Sequence, residues 1–224
     1  MSFDFIKCTG TEALSRLKEL RSNYPSANKY PFLIGDEEEL ERLHEAAEFN
    51  QSELSQIVVE SLNLDLEAWF QERRSNAAEY EFNEIELLGQ WPNEFIKHEG
   101  ITVHRDVLSG ALKPTVFIGL ADIAEPWMLP AATAYGNWND CPEASLHCAI
   151  MRRWNEQYGA EIVSMSGDVI ECHVKRPPAT KADAITLAWE QYWYCTDIVE
   201  QGVETISNLA ATLLNHEYWY FWWD

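Results

Sequence analysis

The chain has 224 residues, with 16 lysines and arginines set against 37 aspartates and glutamates, a net charge of −21. A field of that sign repels nucleic acids and anionic membrane surfaces and draws in basic proteins. Hydrophobic residues make up 46% of the sequence, which excludes a disordered chain, and no run approaches the ~18 apolar residues of a membrane-spanning helix.

The acidic excess is spread along the chain: residues 1–90 hold 8 basic and 19 acidic side chains, and residues 91–224 hold 8 and 18. The opening "MSFDFIKCTG" has an acid at position 4 and no long apolar run, so it does not read as a secretory leader. Cysteines at 8, 141, 148, 172 and 195 are odd in number and scattered in spacing. They predict free thiols in a reduced, cytoplasmic protein.

In chain order, "TEALSRLKEL" after Thr11 places Ala13, Leu14, Leu17 and Leu20 on one helical face. "KYPFLIG" reads as a short buried strand. "DEEELERLHEAAEF" reads as a helix capped by Asp36, with Leu40, Leu43 and Ala47 as its buried stripe and its acids on a solvated face. "SELSQIVVES" and "LDLEAWFQERR" read as two short helices, with "QIVVE" also open to a strand. The segment that follows, to "QWPNEF", is the expected connector, with a boundary at residue 90. Two regions are therefore expected: residues 1–90, mostly helical, and residues 91–224, an α+β domain.

The second half alternates more clearly. "TVFIGL" reads as a buried strand and "EPWMLPAATAYG" as containing another. A helix follows, with Asn139 or Asp140 as cap, Pro142 in its first turn, Leu146, Ile150 and Trp154 as its stripe, and Gly159 as its stop. "AEIVSMSGDVIECHV" reads as a hairpin about Ser166-Gly167-Asp168, with Ile170, Cys172 and Val174 on one face and Val169, Glu171 and His173 on the other. Helices are expected after Thr180 and in "VETISNLAATLLN". The closing "YWYFWW" alternates aromatics on both faces, which predicts a strand in the middle of a sheet. Hairpin strands covered by helices give an α+β fold, with a mainly antiparallel or mixed central sheet.

Four stretches of the second half resemble the bacterial domain of unknown function 4253 family: "YGNWNDCPEASLHCAIMRRWNEQYGAE", "DVIECHVKRPP", "LAWEQYWYCTDIVEQG" and "WYFWWD", spanning roughly residues 110–224. This chain has Gly136 and Asn137 where two glycines are expected, which weakens the case for an unusual backbone at residue 137. The resemblance implies a recurring unit that ends in the aromatic strand. It implies no reaction.

Chemistry must therefore come from the residues. Cys141, His147 and Cys148 lack the tight paired spacing of zinc ligands, and Cys172 and His173 point to opposite faces of a strand, so no metal and no cofactor is expected. Cys195 with His147 or His173 and Asp197 lacks the local signature of a thiol nucleophile. Carboxylates gather in the motif stretches, at Glu161, Asp168, Glu171, Glu190, Asp197 and Asp224, together with Arg152 and Arg176. From these, Glu171, Arg176, Glu190, Asp197, His147 and Arg152 would serve a small hydrolase or transferase. The competing reading makes them partners for buried indoles, phenols and loop carbonyls. Trp138, Cys141, Trp154, Tyr194, Trp219, Phe221 and Trp223 read as structural.

The leading expectation is an acidic binding protein, of the immunity type, that neutralises a basic toxin domain by occluding its active site. Its partner-binding residues would be Asp36, Glu37, Glu38, Glu39 and Glu41, with Glu79, Glu81, Glu84 and Glu86. Neither nucleic acid nor membrane is an expected partner.

Overall fold

The computed structural model describes residues 3–27, 29–50, 52–78, 82–95 and 97–224. The chain begins with β1 (Phe3–Cys8), α1 (Gly10–Ala27), β2 (Tyr30–Gly35) and α2 (Glu37–Asn50). Three helices follow: α3 (Leu54–Asn63), α4 (Leu66–Ala78) and α5 (Glu84–Leu88). The second half supplies β3 (Val116–Ala121), α6 (Leu129–Thr133), α7 (Ala144–Tyr158) and the hairpin of β4 (Ala160–Met165) and β5 (Val169–Val174). It closes with α8 (Lys181–Tyr194), a π-helical segment Ile198–Val203, α9 (Ile206–Leu213) and β6 (Tyr218–Trp222).

The strands form one mixed six-stranded sheet in the order β1-β3-β2-β4-β5-β6, an α+β architecture. Among the described residues β2 and β4 pair in parallel and the other neighbouring strands pair antiparallel. The sheet thus joins strands from both halves, with β3 lying between β1 and β2. One face packs against α2, α6, α7, α8 and α9 in a single large core. On the other face α1 seats Ala13 and Leu17 against Leu33, Val116 and Ile118, flanked by Ile101 and Val103.

Local chemistry explains most element ends. Asp36 Oδ1 accepts from the Glu39 amide and opens α2, while Thr180 and Thr205 cap α8 and α9 in the same way. Gly159 adopts φ +65° and stops α7. The cap of α1 is Thr9 rather than Thr11, with Glu12 reaching back to the Thr9 N–H, and Leu14 is exposed instead of joining the buried stripe.

Several sequence expectations need correction. β1 carries no clean apolar alternation and its positions are half-buried or exposed, so sequence pattern missed it. The segment "EPWMLPAATAYG" is no strand: Pro126–Met128 is a 3-10 turn and Leu129–Thr133 a helix buried on every side. A fully buried apolar run has the same signature in either conformation. Glu143 stands at the N-cap of α7, which leaves Pro142 outside the helix. Asn137 does adopt an unusual backbone, φ +72°, a region asparagine tolerates better than most residues. Its neighbour Gly136, at φ +93°, has no room for a Cβ, which would fall 1.8 Å from the Pro142 carbonyl oxygen.

The largest correction concerns β6, which is an edge strand and not a central one. Trp219, Phe221 and Trp223 are sealed in the core, whereas Tyr218, Tyr220 and Trp222 on the other face are half-buried. Trp219 and Phe221 pack on Trp154, at ring separations of 5.6 and 5.4 Å, and Phe221 and Trp223 pack on Tyr194 at 5.1 and 5.2 Å. Near Trp222 the free edge is closed by Cys195, whose Sγ donates to the Trp222 carbonyl oxygen at 3.0 Å.

Candidate functional site

Strand register brings the site together. Across β5 and β6, Val169 faces Trp222, Glu171 faces Tyr220 and His173 faces Tyr218. The segment 97–113 lies over this half of the sheet. Two adjacent cavities, of about 460 and 590 Å3, open there and share His98, Thr102, Tyr220 and Trp222 as walls.

Glu171 is fully buried beneath them. Its Oε1 accepts the Thr102 backbone N–H at 2.7 Å and the Thr102 hydroxyl at 2.6 Å, and His98 Nε2 lies 3.3 Å from the same oxygen. Its Oε2 has no hydrogen-bond partner among the described residues. The His98 ring packs 4.9 Å from the Tyr220 ring, and His216 Nε2 lies 2.8 Å from the His98 carbonyl oxygen. Burial, then the Glu171 carboxylate, hold the Tyr220 phenol above its ordinary value. Chemically, Glu171 fixes one imidazole nitrogen of His98, so a neutral ring carries its lone pair on the other. Sequence reasoning named Glu171 but neither His98 nor Thr102. Both sit in a stretch without periodicity, and only the long-range packing of that stretch on β5 reveals them.

The remaining acid–base candidates do not converge with Glu171. Arg176 donates to the carbonyl oxygens of Asn155 and Glu156 at the end of α7. Glu190 accepts from Arg153 at 2.7 Å and from the Trp154 indole at 2.9 Å, so Arg153 fills the role expected of its neighbour Arg152, whose guanidinium lies over Trp127. Asp197 accepts from Gln201 and from the Asp224 amide, and Asn139 donates to the Asp224 carbonyl oxygen.

His147 sits wholly inside the core, with Nδ1 2.5 Å from the Tyr194 hydroxyl and Nε2 3.5 Å from Cys141 Sγ. Desolvation lowers its pKa from 6.5 to about 3 and drives the Cys141 thiol far upward. That pair is therefore neutral thiol and neutral imidazole, the reverse of an activated nucleophile. Burial also pushes the Cys195 thiol up to about 12. Trp138 packs edge-on against Tyr135, and its carbonyl oxygen accepts the Cys141 amide. Among the described residues no three His, Cys, Asp or Glu side chains group as metal ligands, and no helix is long and apolar enough to cross a membrane.

The acidic candidates divide into two sets. Asp36 pairs with Lys113 at 2.8 Å, and Glu39 accepts the Gly167 amide at 2.6 Å, so both serve the fold. Glu37, Glu38 and Glu41 point into solvent, as do Glu84 and Glu86 on α5. Glu79 and Glu81 lie outside the described residues. Residues 36–78 hold twelve acids against three arginines. Two of those arginines pair with acids of the other half: Arg42 with Asp168 at 3.1 Å, and Arg73 with both carboxylate oxygens of Asp140 at 2.8 and 2.6 Å.

Residues 117–224 match the family model described as domain of unknown function (DUF4253), in line with the motifs that half of the chain carries. No curated protein and no solved structure matches the chain.

Proposed function

We propose that this protein is an acidic binding protein that engages a basic protein partner through the helical layer α2–α4, as an immunity-type protein covers the active site of a basic toxin domain. The observation that carries this reading is the sorting of charge in that layer. Arg42 and Arg73 are spent on Asp168 and Asp140 of the other half, while Glu37, Glu38, Glu41, Glu45 and Glu48 stay exposed.

Glu37, Glu41 and Glu45 recur at four-residue intervals, and like charges so spaced repel along a helix. A basic partner relieves that repulsion on binding and is steered toward it beforehand. Phe49, Val59 and Leu62 on the same helices are more than half exposed and give such an interface apolar anchors.

The experiment is to identify the genes flanking this one and to titrate the chain with any basic protein they encode; flanking genes that encode none would count against the reading. Affinity should fall as ionic strength rises past ~0.15 M, and the triple variant Glu37→Lys, Glu38→Lys, Glu41→Lys should bind about 100-fold more weakly at low salt. Binding indifferent to both salt and charge reversal would remove the electrostatic basis of the reading.

A further inference from the structure

Two polar atoms of the cleft over β5 and β6 are unpaired and yet open. His98 and Tyr220 each line both cavities. Neither His98 Nδ1 nor the Tyr220 hydroxyl has a hydrogen-bond partner among the described residues, and neither atom is sealed from solvent. Glu171 Oε2 is sealed, so Glu171 acts on the cleft only through His98. The His98 and Tyr220 rings lie 4.9 Å apart, so the two open atoms flank the same space.

Their chemistry is complementary. A carboxylate only accepts, so Glu171 Oε1, 3.3 Å from His98 Nε2, holds the N–H on that nitrogen and leaves the lone pair on Nδ1. The Thr102 N–H and hydroxyl anchor the same carboxylate oxygen. Burial and the Glu171 carboxylate keep the Tyr220 phenol protonated, hence a donor. A base and a donor on one space suit the addition of water to a carbonyl.

The larger cavity, of about 590 Å3, has the size of a small-molecule site. Val103, Val107, Val169 and Trp222 give it an apolar wall. Its charges are of mixed sign: Lys113 pairs with Asp36, Asp168 pairs with Arg42, Glu39 accepts the Gly167 amide, and Arg105 adjoins Asp106. It therefore favours an uncharged ligand over an ionic one.

We propose that this cleft hydrolyses uncharged carboxylic esters, with His98 and Tyr220 as catalytic residues and Glu171 as the positioning residue. His98 Nδ1 takes a proton from a water molecule as the water oxygen attacks the carbonyl carbon. The Tyr220 hydroxyl donates to the oxyanion. His98 then returns the proton to the departing alkoxide, and one ester and one water become one acid and one alcohol. The site uses none of the exposed acids of α2, so it stands or falls apart from the partner proposed for them.

The test is hydrolysis of 4-nitrophenyl butyrate by the full chain, against free imidazole at the concentration of its six histidines. Saturable turnover well above the imidazole rate is the expected result. His98→Gln and Tyr220→Phe should each lower kcat about 100-fold with the fold intact by circular dichroism. Glu171→Gln keeps an acceptor for Thr102 and should lower kcat about tenfold at unchanged KM. Turnover no faster than imidazole, or kcat unchanged in any of the three folded variants, would overturn the proposal. The comparison with imidazole uses the unaltered chain, and Tyr220→Phe removes a single oxygen, so the test stands even where another variant fails to fold.

Discussion

Around α7, α8 and β6 polar side chains serve the fold: Glu190 holds the Trp154 indole, Tyr194 meets His147, and Arg176, after β5, closes the carbonyl end of α7. On α2–α4 most acids face water, while Arg42 and Arg73, both partly exposed, pair with acids of the other half. The first region gives up surface charge for a dense aromatic core. The second keeps a charge pattern that costs stability in isolation. Residues that cost stability without packing gain are where selection for binding is expected to show.

The contrast is broken most severely at the C-terminus. Deleting Trp219–Asp224 removes Trp219, Phe221 and Trp223, each 2% exposed or less, at about 3–5 kcal/mol per aromatic against a net stability of about 5–15 kcal/mol. The truncated chain should give no soluble folded protein by circular dichroism and size-exclusion chromatography. A folded truncation would show that the aromatic end is surface and not core.

The next effect is acid sensitivity. His147 has its pKa lowered from 6.5 to about 3, so the unfolded chain takes up a proton there that the folded chain refuses. Its stabilising share is complete above pH 6.5 and is lost as pH falls toward 3, at about 1.4 kcal/mol per pH unit. Urea midpoints measured from pH 7 to 4 should fall less steeply in His147→Gln than in the unaltered chain.

A smaller change is expected at the cleft. Glu171→Ala leaves the Thr102 N–H and hydroxyl without an acceptor and should cost about 1–3 kcal/mol, with faster hydrogen exchange at Thr102. Exchange unchanged at Thr102 would detach the 97–113 segment from β5.

The smallest effect has the opposite sign. Glu41→Gln with Glu45→Gln removes neighbouring repulsions on α2 and should raise stability by about 0.5–1 kcal/mol at low salt, an effect erased at high salt. Thermal unfolding at two ionic strengths measures it.

Legibility in the sequence followed the range of the interactions. The β4–β5 hairpin, the Asp36 and Thr180 caps and the Gly159 stop are local events, and local pattern reads them. The edge position of β6 is not local. Aromatics on both faces suggested two covering layers, but Tyr218, Tyr220 and Trp222 are only half covered, by a segment with no secondary structure of its own over 97–100. The same gap hid His98 and Thr102, whose role exists only because β5 presents Glu171 beneath them. Acids that differ in role also look identical in sequence: Glu38 and Glu39 are neighbours, yet only Glu39 reaches the Gly167 amide.

The most direct measurement is the affinity of the unaltered chain and of Glu37→Lys, Glu38→Lys, Glu41→Lys for a basic protein found encoded by a flanking gene, at low and high salt. Tight binding by the unaltered chain, weakened about 100-fold by the triple substitution and by salt while the fold stays intact, is the expected result. Equal affinity of the two proteins would contradict the acidic layer as the binding face.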